Sequence, residues 1–277
     1  MRLWCSQELR CSSRACTQRA EQQCETHPDS GSGAFTVWEE ARKALRASQL
    51  TRLTRAYRVN VTTFVRRQTS GPSREPTMDS TIQSGLSLRP FASRPAEELA
   101  ERGYMTRGDH SDVFHAPDED VILSDFFAAT HCLRILPDTG RDNVVRLGFS
   151  PVPGHRQTDI SGVLVIDRAT SELRRLDFSF VNLPAMDVVG SPGGQIVFRR
   201  LPEGSWLIEQ CAIWLPDAEL HKDQPQALLR LNTRVPVPVR PAPASSTRFG
   251  LKTTGGYVSR VAFGEETLWR RPASALP

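Results

Sequence analysis

Proton transfer or metal binding in this 277-residue chain would fall first to six histidines, His27, His110, His115, His131, His155 and His221. Their spacing contains no H-E-x-x-H pair, so zinc-dependent hydrolysis of that type has no support. His110 and His115, with Asp109, Asp112 and Asp118, form the one cluster of metal-compatible side chains. It matches no standard ligand spacing, and a solvated loop is the expectation. His131 stands beside Cys132, but neighbours on a strand point to opposite faces. A structural cysteine and a hydrogen-bonded histidine are expected there rather than a thiol and its base.

The remaining chemical motifs resolve similarly. Ser124-Asp125 lacks the glycine-flanked elbow of a hydrolase nucleophile. It can instead cap a turn of helix through Phe126 and Phe127. Gly190-Ser191-Pro192-Gly193-Gly194 precedes a strand, not a helix N-terminus, so it reads as a hairpin loop and not a phosphate cradle. Asp118-Glu119-Asp120 has the charge to hold calcium weakly, but a charged turn is the plainer reading. No catalytic residue, cofactor or metal ligand is assigned. What remains is apolar: Phe178, Phe180, Phe198, Trp206 and Trp214 recur at strand spacing, either as core or as the lining of a ligand cleft. With Trp38 and Leu45 from a helix, the candidate lining set is Trp38, Leu45, Phe178, Phe180, Phe198 and Trp206.

Composition narrows the class. Thirty-five basic against 31 acidic residues leave a formal charge of +4, and the excess is not gathered with aromatics into a phosphate-reading surface, which argues against nucleic acid. No apolar run is long enough for a transmembrane helix. Cys5, Cys11, Cys16 and Cys24 crowd the start without zinc-site spacing, and free thiols in a disordered tail are expected, with two local disulfides the alternative in an oxidising compartment. Cys132 and Cys211 read as small buried hydrophobes. A bridge between them is the alternative.

The elements that would position these residues centre on Gly162–Leu215. Leu176, Phe178 and Phe180 alternate with Arg175, Asp177 and Ser179, so one face is buried and one is wet. Asp167-Arg168-Ala169-Thr170 and Leu201-Pro202-Glu203-Gly204 have hairpin-turn chemistry, making the neighbouring strands antiparallel. Residues 1–35 read as tail and linker. Thr36 and Glu39 form a capping box that opens an amphipathic helix carrying Trp38, Ala41, Leu45 and Gln49. Tyr57–Val65 is a strand, residues 71–80 a polar turn, and 82–91 a weaker strand. Residues 95–103 are a short helix with proline at its start and glycine at its stop. Residues 120–130 are ambiguous between strand and helix, and 131–136 with 144–149 form a hairpin. Residues 232–246, with proline at alternate positions, are an exposed segment. A closing strand at 255–263 precedes a frayed tail, 270–277.

The succession VWEEARKAL, RPFASRPAEELAERGY, APDEDVILSDFFAATHCLRI, GVLVIDRATSELRRLDFSFVNL and GGQIVFRRLPEGSWLIEQCAIWLP resembles the C-terminal region of bacterial envelope or secreted carboxypeptidase regulatory-like domain-containing proteins. The likeness spans about Val37 to Phe263. It implies an envelope, periplasmic or secreted location, and no catalytic residues. In that family a signal peptide and a small β-sandwich come first. The opening residues here have no apolar core of a secretory signal, which leaves two readings, a disordered tail ahead of the domain or a product whose true beginning lies further upstream. The fold is also similar, by pattern alone, to the half-barrels of outer-membrane lipoprotein carriers.

The resulting reading is an α+β, β-dominated domain over 36–269: a curved antiparallel sheet, half-barrel in form, with an N-terminal helix packed on it. Its expected function is a non-enzymatic envelope binding module holding an apolar or peptidic ligand in the sheet's concavity. A hydrolase assembled from sequence-distant residues, and a purely structural module, are the alternatives.

Overall fold

The computed structural model describes residues 24, 32–52, 57–69, 76–86, 89–107, 112–137, 140, 143–183, 191–219 and 248–272. The calls on His27, Asp109, His110, His221 and the proline-rich 232–246 segment lie outside them.

Helix α1 (Ser32–Arg52) is followed by strands β1 (Tyr57–Thr69) and β2 (Thr77–Leu86). Next come helix α2 (Ala96–Arg102), the short strands β3 (Met105–Thr106) and β4 (Val113–Phe114), and helices α3 (Glu119–Ile122) and α4 (Asp125–Thr130). The meander then runs β5 (His131–Ile135), β6 (Val144–Pro151), β7 (Asp159–Asp167), β8 (Leu173–Val181), β9 (Gly193–Arg200) and β10 (Trp206–Glu219). Strands β11 (Arg248–Phe263) and β12 (Glu266–Arg270) follow.

One open ten-stranded sheet results, in the order β2-β1-β11-β10-β9-β8-β7-β6-β5, with β12 also paired to β11. Every pairing is antiparallel. Local turn chemistry explains the central hairpins. Asp167 accepts from the backbone N–H of Ala169 and Thr170, and Gly204 takes φ 96° in the turn that leads into β10, a region glycine enters without steric cost. A bulge at Arg174 lets both Leu173 and Leu176 face inward despite their odd spacing.

The concave face is closed by α1. Ala34, Trp38, Ala41 and Leu45 join one core cluster with Leu147, Phe149, Ile160, Leu164, Leu176, Phe178, Phe180, Ile196, Phe198, Trp206 and Ile208. The helix reaches β5 and β6 at one side and β10 at the other, so the six meander strands curl beneath it. Arg42 stacks over the Trp38 ring and pairs with Asp125 at the start of α4.

Several boundaries differ from the sequence reading. The helix begins at Ser32, ahead of the Thr36 capping box, because Ala34 and Phe35 prolong the apolar stripe and pack into the core. Tertiary packing outweighs the local cap signal. Strand β2 starts at Thr77, inside the stretch read as a polar turn. Its ten residues are all exposed, so no hydrophobic alternation marked it. The ambiguous 120–130 segment is helical, with Asp118 and Ser124 as N-caps. At the far end Arg271 is held by Glu209 and Gln210, so order extends into the stretch expected to fray.

The cysteine pattern is also corrected. Cys24 and Cys132 are joined, with Cα atoms 5.6 Å apart and 108 residues between them in sequence. Cys211 is a free thiol. The bridge ties the segment ahead of α1 to β5, anchoring the helix on the sheet. Replacing Cys132 with Ser is expected to remove about 3 kcal/mol of stability. Urea denaturation of the oxidised wild type beside the variant measures it, and equal midpoints would show that the bridge contributes nothing.

Candidate functional site

A cleft of about 490 Å³ opens over β10, between the segments 90–94 and 114–118. Its floor is Ile208, Cys211 and Ile213 of β10, and its walls are the segments around Phe91 and Phe114. Both walls are pinned to one buried carboxylate, Asp118. Its Oδ1 accepts from Val121 N at 3.1 Å, capping α3, while Oδ2 accepts from Ser93 N and from Arg89 Nη2, each at 2.9 Å. Arg89 also reaches Glu119 and Asp120. The acidic triplet is therefore the N-cap and the ion-paired first turn of α3.

The walls rest on the sheet at particular points. Phe91 lies on Gly256 of β11, where an added Cβ would fall 2.7 Å from the ring. Only glycine leaves that space. Phe114 packs edge-on to Phe180, centroids 4.9 Å apart. Backbone bonds from His115 N to Tyr104 O and from Tyr104 N to Thr158 O carry the wall down to the start of β7. Because pins and rings hold the walls off the floor, the space between stays open.

The polar groups at this cleft are few. Ser93 Oγ is buried and has no hydrogen-bond partner, which leaves a hydroxyl able to serve a bound acceptor or donor. Arg94 pairs with Glu98 on α2. The His115 ring exchanges a hydrogen bond of 2.9 Å with Thr106 Oγ1. Burial, reinforced by the Arg94 charge, holds its pKa below the ordinary 6.5. Burial pushes the Cys211 thiol up to about 12, with the Asp118 charge adding to the effect. The thiolate is thus suppressed, and the sulfur acts as apolar surface.

A second cluster sits deeper. Asp159, almost wholly buried, has His131 Nε2 at 3.2 Å and His155 Nδ1 at 2.7 Å on its two oxygens, and it accepts from Ile160 N at 2.7 Å. The imidazole nitrogens are off the line of a well-formed hydrogen bond, so proximity of charge and polarity does the holding. His131 stacks on Phe127 with centroids 4.2 Å apart, and its Nδ1 lies 3.1 Å from Phe127 O. The nearby Tyr104 phenol is pushed well above its usual 10.0, by burial first and then by the charges of Asp159 and Asp118. Among the described residues no hydroxyl or thiol is hydrogen-bonded to the His155 ring. The arrangement pins α4 and β5 to β7. It was missed in the sequence because its members are distant and match no motif. His131 was expected to be hydrogen-bonded, and Cys132 is structural, through the disulfide.

Trp38, Leu45, Phe178, Phe180, Phe198 and Trp206 come together in the core cluster. None of the six lines the cleft. Trp214 is half-buried on β10, and Ser124 caps α4 through Phe127 N. Among the described residues no three His, Cys, Asp or Glu side chains converge on a metal position. No family model, curated protein or solved structure matches the chain.

Two outcomes are expected from this chemistry. Iodoacetamide at pH 8, read by peptide mapping, leaves Cys211 unmodified in the native protein and alkylates it in urea; rapid native labelling would contradict the suppressed thiolate. The His115 effect has a definite sign. Its folded pKa lies below its unfolded value, so the unfolded chain takes up the proton first and stability falls as pH drops below about 6.5. Thermal melts from pH 7.5 to 5 should show a shallower decline in His115→Gln than in the wild type.

Proposed function

We propose that this chain is a non-enzymatic binding module of the bacterial envelope that takes an apolar or peptidic ligand into the cleft above β10. The observation that carries the reading is the cleft itself. It has an apolar floor, aromatic walls, an open mouth and one buried hydroxyl without a partner. Its volume falls within the range of small-molecule sites, about 300–1,000 Å³. An acyl chain, or two to three apolar side chains of a peptide, would fill it, with a polar end near Ser93 and Arg94.

The envelope assignment is supported by the Cys24–Cys132 bridge, since disulfides persist in oxidising compartments. It also agrees with what the likeness to regulatory-like domain proteins implies. The ligand position differs from the lining set suggested by the sequence. Trp38 and its partners already spend their apolar surface on one another, whereas Phe91, Phe114 and Ile213 face open space. The hydrolase alternative would need a nucleophile at His155, and none bonds to that ring among the described residues.

Titration with 1-anilinonaphthalene-8-sulfonate, an aromatic body with an anionic end, tests the cleft. One saturable site is expected, weakened at least about tenfold, or about 1.4 kcal/mol, by Ile213→Arg and unaffected by Ile135→Arg on the far hairpin. Circular dichroism verifies that both variants fold. Competition by decanoate or by an N-acetylated trileucine separates the acyl from the peptidic ligand. Non-saturable binding, or equal binding by the wild type and Ile213→Arg, would sink the proposal.

A further inference from the structure

The two edges of the sheet are treated very differently. Strand β5 is short and lies beside α1 and α4. Strand β2 runs ten residues with every side chain exposed and no register shift against β1. An edge of that length is a template for another strand, and proteins usually blunt it with lysine, proline, a bulge or a cover. TMDSTIQSGL has no lysine, proline or bulge, its one charged residue is Asp79, and among the described residues nothing covers the strand.

The pattern along β2 is symmetric. Met78, Ser80, Ile82, Ser84 and Leu86 share one face, and Met78, Ile82 and Leu86 are 44%, 72% and 72% exposed. An antiparallel second copy with its two-fold axis at Ile82 sets Ile82 against Ile82 of the second copy and Met78 against Leu86 of the second copy. Ser80 then meets Ser84, Thr81 meets Gln83, and Asp79 meets Gly85, so no like charges face each other. Moving the axis to Ser80 or Ser84 keeps one kind of apolar pairing and strands the third apolar residue. The side-chain pattern therefore selects a single register.

We propose that β2 pairs antiparallel with β2 of a second copy of this chain about an axis through Ile82, joining two sheets into one. The contact is isologous, the same patch serving both partners. The inner edge of β2 is already taken by β1, so the pairing uses one edge per chain and closes at two. The pairing edge shares no residue with the lining of the ligand cleft.

Sedimentation velocity of the full chain from about 1 to about 100 µM tests it. A dimer is expected, weakened at least about tenfold by Ile82→Lys, which places two ammonium groups opposite each other. At a concentration where the wild type is monomeric the melting temperature should not change, because Ile82 is mostly in water within one chain. As a second arm, in a chain with Cys5, Cys11 and Cys16 replaced by Ser, Ile82→Cys should form a disulfide-linked dimer under mild oxidation. Ser84→Cys, which would face Ser80, should not. Four results would overturn the proposal: a monomer throughout, which leaves the edge to a foreign strand; a dimer indifferent to Ile82→Lys; an open-ended series of sizes; or equal cross-linking from positions 84 and 82.

Discussion

A meander of six antiparallel strands presents one continuous apolar surface, from Leu147 and Phe149 on β6 to Trp206 and Ile208 on β10. Such a surface is unstable in water as a lone layer, and the sheet answers by curling under helix α1, with Leu99, Val121, Ile122 and Phe127 of the short helices completing the same core. Trp38 is the centre of that contact, with Ala34, Ala41 and Leu45 along the same stripe. Burying these side chains contributes a few kcal/mol each for the largest. The Arg42–Asp125 pair and the Cys24–Cys132 bridge keep the helix where that burial occurs. Contacts of α1 with β5 and with Asp125 at the start of α4 fix how these elements sit beside it.

Buried carboxylates organise what the apolar contacts leave undetermined. Asp118 joins two irregular segments through three donors. Asp159 at the start of β7 faces His131 of β5 on one oxygen and His155 of the β6–β7 connection on the other. Glu209, the extra residue at the β10 bulge, collects Arg199 and Arg271 and so fixes the chain beyond β12. Removing one member of such a group leaves the other charge buried without compensation, which costs more than the pair contributes. These carboxylates therefore specify geometry more than they add stability, and at Asp118 that geometry is the open cleft.

Much of the fold was legible locally. The meander's hairpins carry their own turn chemistry in Asp167 and Gly204, and the buried face of β8 and β9 repeats with period two. The stripe of Trp38, Ala41 and Leu45 announces a covering helix, and the Pro95 to Gly103 segment announces a short one. The site was far less legible. The alternation of Phe178, Phe180 and Phe198 says that these rings turn inward, but not whether they meet one another or a ligand, because both outcomes demand the same residue types.

The amino-acid order by itself determined the antiparallel β-dominated class, the single helix on the sheet and the inward-facing set, since periodicity and turn preference act over a few residues. Only the tertiary structure decided the rest. It placed β11 between β1 and β10, paired Cys24 with Cys132, set two histidines on Asp159, and put the cleft over Cys211 instead of beneath Trp38. It also extended the weaker strand expected at 82–91 back to Thr77, into the stretch whose polar composition reads as a turn, and left that strand exposed. In each case the partners are distant in sequence, and their meeting depends on how the curled sheet and its helix exclude water together, a property no short window of residues contains.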